Sequence, residues 1–436
     1  MKPKVLIVGT VPYNKKSTSR AFESYFSGWE KENLAQVFSN TKKPTKGHCG
    51  SFYQITDRQM LKSRLNKNYE TGLIYSSEEL EDEWTDNSLE VKEALFRRMY
   101  YIGSKHTPMT HLIRKWVWKK KLWCTEKFNA WLEEFKPQCV FLSFSDDFFI
   151  LEIALYVAEK FNIPIVSSIG DDYYFNVKFS LSPFYHIYKK SYRSLMRRVF
   201  AHKGSAIYIG NKIRDKYNQE FGLKGETVYL TSEVQRREFK EINTKNPLIC
   251  YFGNVGAGRN NSLSDIGTAL GKINPDFKLN VYSNETSEKI ISVLQKKPNI
   301  VFHGSIPYVE VQRLNSECDI VVLVEGFSKS DVTKTRYSLS TKAADSLASG
   351  SNIFVYGSKE CGLIEYMIST NSAAVCTDSS RLEDCLRSFI YDFEYQHQNY
   401  LNAIKVSNCN HVLERSTAIF EGIVERVIKE NGNESC

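Results

Sequence analysis

Short apolar runs rich in β-branched residues alternate with amphipathic stretches of helical length along the whole chain. This alternation is typical of α/β proteins, in which a helix follows each strand of a parallel sheet. Strands are predicted over residues 4–8, 139–144, 163–169 and 206–209, and then over residues 248–252, 278–282, 300–303, 320–324, 353–356 and 373–376. The sequence therefore predicts two doubly wound, Rossmann-like domains.

The strands of the second group are separated by predicted helices over residues 262–272, 285–296, 308–316, 342–349 and 363–369. The polar segment 240–247 has the composition of a linker, and after residue 378 only helical patterns follow. We therefore predict a first domain over residues 1–242, a second over 243–405, and a C-terminal helix over 406–436 that crosses back toward the first. Because ligands bind beyond the carboxyl ends of such strands, a cleft is expected between the domains.

Charge is distributed unevenly between the two halves. Residues 1–240 carry 39 Lys and Arg against 27 Asp and Glu, whereas residues 241–436 carry 19 against 23. Residues 97–121 hold eight basic residues and no acid, with tryptophans at 116, 118 and 123, and residues 173–214 hold nine basic residues and no acid. Such segments suit an anionic membrane surface or a phosphate-bearing substrate, and a solvated helix face with buried tryptophans is the alternative.

The sequence has no long apolar stretch and no closely paired cysteines, which bears on the location of the protein and on the state of its thiols. The longest apolar stretch, residues 148–158, falls short of the ~20 residues that span a bilayer. The run at residues 5–8 is shorter than the ~7 to 15 apolar residues of a secretory signal. Ten cysteines are scattered without a C-x-x-C pair, which favours buried thiols over disulfides or a zinc site. We expect a cytoplasmic protein.

A glycine-rich segment follows the predicted strand 248–252. It contains Gly253, Gly256 and Gly258 and ends at Arg259, just before a predicted helix. Glycines here would let the backbone approach a phosphate closely, and Arg259 would offer the phosphate a charged fork. The spacing is neither that of a Walker loop nor that of a dinucleotide fingerprint. A plain strand-to-helix turn is the alternative.

A second polar segment follows the predicted strand 320–324. It begins at Glu325 and leads to a helix for which Ser340 or Thr341 is a suitable N-cap. The amides of the first turn and Lys342 would then point into the cleft, where they suit an anion. Asp345 lies one turn later on the same helix face, where it suits ribose hydroxyls. A merely capped helix is the alternative.

Polar residues also follow the predicted strands of the first half. The adjacent pairs Asp146–Asp147 and Asp171–Asp172 come after strands 139–144 and 163–169, so one carboxylate of each pair could orient or deprotonate an acceptor hydroxyl. Helix capping is the alternative, above all for Asp146. The loop after the first strand contributes Thr10, Pro12 and, further on, Arg20, which suits an acceptor phosphate. His106, His111 and His186 are further candidate bases, although such histidines more often lie on an ordinary surface.

These motifs resemble those of GT-B fold glycosyltransferases of family four, particularly bacterial enzymes of capsule and surface-polysaccharide assembly. The likeness is carried by YFGNVGAGR (251–259), KLNVYS (278–283), NIVFHGSIPYVEV (299–311), CDIVVLVEGF (318–327) and YSLSTKAADSLASGSNIFVYG (337–357). It covers residues 248–377, whereas the first half is similar in layout, with a Gly-Thr-x-Pro loop and IPIVSSIGDDYY (163–174). The resemblance implies a donor-binding second domain and an acceptor-binding first domain.

The resemblance also implies roles for individual residues. The diphosphate of a nucleotide-sugar donor is expected at Gly253, Asn254, Gly256 and Arg259, its base at His303 and Gly304, its phosphate and sugar at Ser340, Thr341 and Lys342, and its ribose at Asp345. The acceptor is expected at Thr10, Pro12, Arg20 and Asp146, and the candidate catalytic acids are Asp171, Asp172 and Glu325. The usual glutamate pair is altered, because Tyr337 stands at the first acidic place and Asp345 at the second.

The chemistry expected of this site is sugar transfer from a nucleotide diphosphate sugar to a glycan. The resemblance implies that the transfer retains the anomeric configuration. It also implies a lipid-diphosphate-linked acceptor in capsule, O-antigen or exopolysaccharide assembly. Such transfer needs stabilisation of departing negative charge and of an oxocarbenium-like sugar. Arg259, Lys342 and helix-end amides can stabilise the leaving group, and no Asp-x-Asp follows a predicted strand, so no metal or other cofactor is expected. Replacing either cation by alanine is expected to stop transfer and leave the fold intact.

Peripheral association with an anionic inner-leaflet surface is expected through the basic first half, and nucleic acid is not an expected partner. Two other functions are consistent with parts of the sequence. A nucleotide-sugar epimerase or hydrolase can share this two-domain architecture, although a small soluble substrate needs no basic, tryptophan-rich surface. A non-catalytic polyanion-binding protein would use the positive charge, but no nucleic-acid-binding motif is present and the second half is acidic.

Overall fold

The computed structural model describes residues 2–14, 19–81 and 107–433, which form two sheets, one in each half of the chain. The strands of the first sheet are β1 (Val5–Val8), β2 (Leu34–Phe38), β3 (Ser51–Gln54), β4 (Leu73–Ser76), β5 (Cys139–Ser143), β6 (Ile165–Ile169), β7 (Gly204–Tyr208) and β8 (Glu226–Thr227). Their order is β4-β3-β2-β1-β5-β6-β7-β8, and β4 runs antiparallel to β3 while the other pairs are parallel.

Helices cover both faces of this sheet, which is why its central strands are continuous apolar runs. They are α1 (Ser19–Phe26), α2 (Asp57–Leu65), α3 (Pro108–Val117), α4 (Lys120–Trp123), α5 (Glu126–Phe135), α6 (Phe148–Phe161), α7 (Pro183–Ala201) and α8 (Asn211–Phe221). Threonine side chains cap three of them: Thr56 accepts from the amide of Gln59, Thr107 from Thr110, and Thr125 from Phe128. These caps fix where α2, α3 and α5 begin.

The second sheet is parallel throughout the described pairs. Its strands are β9 (Ile249–Phe252), β10 (Leu279–Tyr282), β11 (Ile300–Gly304), β12 (Ile320–Val324), β13 (Asn352–Tyr356) and β14 (Ala374–Cys376), in the order β11-β10-β9-β12-β13-β14. Its helices are α9 (Arg259–Ile273), α10 (Glu288–Gln295), α11 (Tyr308–Glu317), α12 (Lys329–Thr335), α13 (Lys342–Ser349), α14 (Gly362–Thr370), α15 (Leu382–Tyr391) and α16 (Phe393–Asn410). Both sheets are doubly wound, as the sequence predicts.

The last helix, α17 (Leu413–Asn433), returns to the first sheet. Phe420 packs among Tyr25, Phe26 and Phe141 at ring-centroid distances of 5.0–5.5 Å. An ion pair between Arg426 and Glu226 at 2.9 Å holds the same helix further along. The crossing helix begins at residue 413 rather than the predicted 406, because α16 continues to residue 410 against the second domain.

The strands β2, β3, β4 and β8 were not predicted from the sequence. In β2 the buried Gln36 interrupts the apolar pattern, and it accepts from the amide of Tyr13 and donates to the carbonyl of Val11. In β3 the buried Gln54 is the last residue and donates to the carbonyl of Asn40. The strand β8 has only two residues. None of the helices in the described ranges has the length and apolar character needed to cross a membrane.

Candidate active site

The winding direction changes beside β1 in the first sheet and beside β9 in the second, so loops that follow these strands open into a crevice. The two crevices face each other and form one cavity of about 610 Å³. The first domain lines it with Thr10, Val11, Tyr13, Gly170 and Asp171, and the second with Asn254, Arg259, Glu325, Ser338, Ser340, Thr341 and Lys342, among others. The structure therefore brings eight of the seventeen predicted site residues to the lining of one cavity.

The glycine-rich loop between β9 and α9 forms part of the cavity wall. Gly253 has φ +111°, and a Cβ at this position would lie 2.4 Å from Cε of Lys342, so only glycine leaves room for that side chain. Asn254 Oδ1 accepts from the amide of Gly256 at 2.6 Å and holds the loop open. Gly258, with φ +79°, is the N-cap of α9, and Arg259, the first residue of this helix, lines the cavity. The diphosphate contacts implied for Gly253, Asn254 and Gly256 stay predictions.

Arg259 is paired with a carboxylate in this structure. Its guanidinium donates from Nε to Glu325 Oε2 at 3.1 Å and from Nη2 to Glu325 Oε1 at 2.9 Å. Burial lowers the pKa of Arg259, but the charge and hydrogen bonds of Glu325 outweigh it and raise the pKa overall. Glu325 is only 1% exposed, so this carboxylate depends on Arg259 for compensation of its charge. A bound diphosphate would meet an arginine that already has a partner.

Lys342 is the second cation of the cavity. Its Nζ donates to the hydroxyl of Tyr251 at 2.8 Å and lies 4.4 Å from the centre of that ring. Desolvation and the nearby Arg259 charge lower the pKa of Lys342 to about 7, while Glu325 partly offsets them. Its helix, α13, begins where the sequence predicts, but neither Ser340 nor Thr341 caps it with a side chain, because Thr341 already has helical dihedral angles.

Asp345 and His303 form hydrogen bonds with neighbouring side chains of the protein. Asp345 is buried and accepts from Ser232 Oγ at 2.7 Å and from the hydroxyl of Tyr308 at 3.2 Å. His303 bonds Asn280 through Nε2 at 2.8 Å and stacks on Tyr282 at 4.6 Å. Neither residue lines the 610 Å³ cavity. The ribose and base contacts implied for Asp345, His303 and Gly304 stay predictions.

The two aspartates after β6 have different surroundings. Asp171 is exposed at the cavity, and its Oδ1 accepts from Ser338 Oγ of the second domain at 2.8 Å. Asp172 is buried, and its Oδ1 accepts from the Tyr217 hydroxyl at 2.8 Å and from the amides of Tyr174 and Phe175. Burial raises the pKa of Asp172, and the hydrogen bonds partly offset this. Asp172 therefore organises the turn, and the prediction that it is catalytic fits Asp171 better.

Asp146 and Asp147 follow β5 but lie outside the cavity lining. Asp146 pairs with His111 Nε2 at 3.2 Å, and Asp147 accepts from Arg114 at 2.5 Å. Asp147, not Asp146, holds the N-cap position of α6, and its side chain makes no capping hydrogen bond. His111, Asp146 and Asp147 place ligand atoms within 4.8 Å of one another. Arg114 already supplies a cation to Asp147, and the expectation of a metal-free reaction stays a prediction.

On the acceptor side, Thr10 lines the cavity as predicted, whereas Pro12 does not. The side chain of Arg20 and the whole of His106 lie outside the described residues. Tyr13, which ends the loop that the sequence places on the acceptor side, also lines the cavity. Its ring stacks on His48 at 3.6 Å, and its hydroxyl lies 2.7 Å from His48 Nε2. Burial raises the pKa of Tyr13, and the nearby Glu23 raises it further.

Comparison with solved structures identifies the architecture. The chain is similar to sucrose-phosphate synthase from Thermosynechococcus elongatus (TM-score 0.60, 10% identity, 99% of this chain and 100% of that one). It is also similar to WaaG, a glycosyltransferase involved in lipopolysaccharide biosynthesis (0.53, 11%, 95% and 99%), and to HepE of Anabaena in complex with UDP and glucose (0.56, 9%, 97% and 99%). No family model and no curated protein matches the chain.

The chain therefore has the GT-B fold, in which two Rossmann-like domains face each other across a cleft, as the resemblance implied. Agreement extends over nearly the full length of both chains, so it includes the first domain, where the sequence resembles the family only in layout. The motifs in residues 248–377 are consistent with a family-four-like member of this fold class.

Proposed function

We propose that this protein is a glycosyltransferase that moves a sugar from a nucleotide diphosphate sugar to a glycan acceptor. The observation that carries the proposal is the placement of Arg259 and Lys342 on one wall of the interdomain cavity. The starts of α9 and α13 lie on the same wall, so helix dipoles add to these charges. Departing diphosphate charge is what such a wall stabilises. The UDP and glucose in HepE support a nucleotide-sugar donor for the shared fold.

The finer parts of the proposal concern acceptor and mechanism. We assign the acceptor to the first-domain wall, where Thr10, Tyr13 and Asp171 face the two cations across the cavity. Transfer is proposed to retain anomeric configuration and to need no metal, on the basis of the family resemblance and of the cations available to the leaving group. A lipid-diphosphate-linked glycan of bacterial capsule, O-antigen or exopolysaccharide assembly is the proposed acceptor, met at the cytoplasmic face of an anionic membrane.

The first test is a thermal-shift panel with UDP, GDP and CMP and their sugars, with and without EDTA. A ligand that binds only the folded state raises the melting temperature, and about 100 times its Kd adds about 2.7 kcal/mol of stability. We expect a selective, EDTA-resistant rise with one nucleoside diphosphate. A response to no nucleotide would contradict the donor site, and sugar release or epimerisation without an acceptor would favour a hydrolase or epimerase instead.

Asp171 and Asp172 offer a matched pair for the acceptor wall. Asp171→Ala is expected to lower kcat by about 100-fold, because a positioned general base or orienting carboxylate contributes at least that much, with little change in melting temperature. Asp172→Ala is expected to lower stability by about 1–3 kcal/mol, because the Tyr217 hydroxyl and the Phe175 amide lose their acceptor, whereas the Tyr174 amide still donates to the Tyr217 oxygen. Steady-state kinetics and thermal unfolding measure the two effects.

The control for Asp171 is Ser338→Ala, which removes the hydrogen bond between the domains and keeps the carboxylate. A loss of only a few-fold in kcat is expected for this variant. If Ser338→Ala matched Asp171→Ala, the carboxylate would matter only as an interdomain contact, and its proposed role toward the acceptor would be wrong.

A further inference from the structure

A group of large apolar side chains is exposed on the first domain, outside the lining of the interdomain cavity. Phe179 and Leu181, in the loop before α7, are 90% and 88% exposed. The other members are Met109, Ile113 and Trp116 of α3, Val177 of the loop, and Phe184 and Ile187 of α7, each between 47% and 56% exposed. We call these eight residues the apolar face. Single exposed apolar residues are ordinary, but a contiguous set of them marks an interaction surface.

The three segments of the apolar face are joined by specific contacts. His111 of α3 stacks on Tyr188 of α7 at 4.8 Å, which sets the first turns of the two helices side by side. The loop folds onto the same end of α7, because the amide of Lys178 donates to the Tyr185 hydroxyl at 2.8 Å and His186 Nε2 lies 2.7 Å from the carbonyl of Ser180. The exposed residues therefore flank one shared core of buried rings.

The segments that carry this face are basic. The sequence has no acidic residue over 107–125 or over 173–214. Lysines 119, 120, 121, 178 and 190 of these segments are exposed. Trp116 also lines a cavity of about 540 Å³ together with Lys115, Lys119, Lys120 and Arg198, and with Glu152 and Glu159. Exposed apolar side chains on segments rich in lysine and arginine match the two attractions of an anionic bilayer.

We infer that the apolar face docks this protein on an anionic membrane surface, with Phe179 and Leu181 entering the headgroup region and the lysines contacting lipid phosphates. This deepens the membrane association in the proposed function and rests on it. The face lies near the cavity: His111 of α3 pairs with Asp146 at the end of β5, and Tyr192 of α7 donates to the carbonyl of Ser145. A docked bilayer would thus lie beside the acceptor wall, where a lipid-linked substrate must arrive.

The test is flotation of the full-length protein with vesicles of phosphatidylcholine alone or of phosphatidylcholine mixed with phosphatidylglycerol, whose negative surface potential attracts basic segments. Wild type is expected to float with the anionic vesicles only. Phe179→Ser/Leu181→Ser is expected to reduce the bound fraction at least about tenfold, because its two most exposed apolar side chains are lost. Lys178→Glu/Lys190→Glu should also bind weakly, by about fivefold or more per charge changed.

The matched control is Ile368→Ser/Leu401→Ser, which removes two side chains of the second domain that are 49% and 47% exposed. It should float like wild type. The inference would be overturned by wild type that ignores anionic vesicles, or by an apolar-face variant that binds them normally. It would also be overturned if that variant turned a dimer into a monomer, because the face would then join two copies.

Failure of this inference is distinguishable from failure of the proposed function. The Phe179→Ser/Leu181→Ser protein should keep the full nucleotide thermal shift, since the cavity wall with Arg259 and Lys342 lies in the other domain. Vesicle binding without any nucleotide response would support the docking surface and refute the donor site. A nucleotide response without vesicle binding would support the donor site and refute the docking surface.

Discussion

Arg259→Ala is expected to abolish transfer and also to destabilise the protein. Loss of a charged donor to the departing diphosphate lowers kcat/KM by about 10² to 10³-fold. The same change removes the two hydrogen bonds that Arg259 donates to the buried Glu325 carboxylate. Removing one partner of a buried ion pair lowers the free energy of unfolding by about 3–5 kcal/mol. Steady-state kinetics and chemical denaturation measure the two losses. From the buried pair we therefore expect a loss of stability in this variant, where the sequence alone predicts an intact fold.

The two losses can be separated with a second variant. Arg259→Ala/Glu325→Ala removes both members of the pair, so most of the stability is expected to return while activity stays low. Arg313→Ala is the control, because this arginine lies on the surface and pairs with Glu310 and Glu317 on its own helix. An active and stable Arg259→Ala enzyme would refute both the donor contact and the importance of the ion pair.

The pairing of Glu325 with Arg259 affects how a donor phosphate can bind to this arginine. The Glu325 carboxylate accepts from Nε and Nη2 of Arg259, so a phosphate oxygen at either of these donors would compete with Glu325. The prediction that Glu325 is a catalytic acid stays a prediction.

The sequence predicts elements well where the pattern is unbroken and poorly where a buried polar group interrupts it. The strand Ile320–Val324 and the helix Lys342–Ser349 have the predicted bounds, because one is five apolar residues in succession and the other ends at a glycine with φ +79°. The strand Leu34–Phe38 was missed because Gln36 sits in its middle, satisfied by backbone groups of the β1 loop. Such long-range partners are not visible in local pattern.

Contacts between residues far apart in sequence also limit how much of the candidate site the sequence predicts. Strand ends correctly locate Thr10, Asp171, Glu325 and the glycine loop at the cavity, because parallel strands present their carboxyl ends to one edge. Which way each side chain turns is decided by neighbours far away in sequence. Asp172 turns to Tyr217, 45 residues away, and leaves Asp171 at the cavity. The pairing of Arg259 with Glu325 across 66 residues is equally invisible to spacing.

The second large effect is expected in the pH dependence of donor binding and involves Lys342. Its pKa of about 7 in the free protein reflects desolvation first and the Arg259 charge second. A diphosphate placed beside the ammonium favours its charged form, so binding above pH 7 takes up a proton. Affinity for the nucleoside diphosphate should therefore fall as pH rises above 7, by up to about tenfold per unit. The phosphates do not oppose this, since their second ionisation, near pH 6, is complete.

Stability of the free protein should change in the opposite direction. Between pH 7 and the ordinary lysine value of 10.5, the unfolded chain binds a proton at Lys342 that the folded chain does not. Stability contributed by this group therefore rises with pH across that window. Lys342→Met should weaken nucleotide binding at pH 7 and remove both pH dependences, whereas Lys289→Met, at an exposed lysine of α10, should change neither.

Calorimetric titrations in buffers of different ionisation heat count the proton directly, and urea unfolding at pH 7 to 10 follows stability. Affinity that is flat from pH 7 to 9 in wild type would mean that Lys342 is already charged and in place before the donor arrives. Affinity that falls equally in wild type and Lys342→Met would assign the proton to another group. An opposite response of binding and stability, lost together in Lys342→Met, is the result that only a desolvated lysine at the diphosphate position produces.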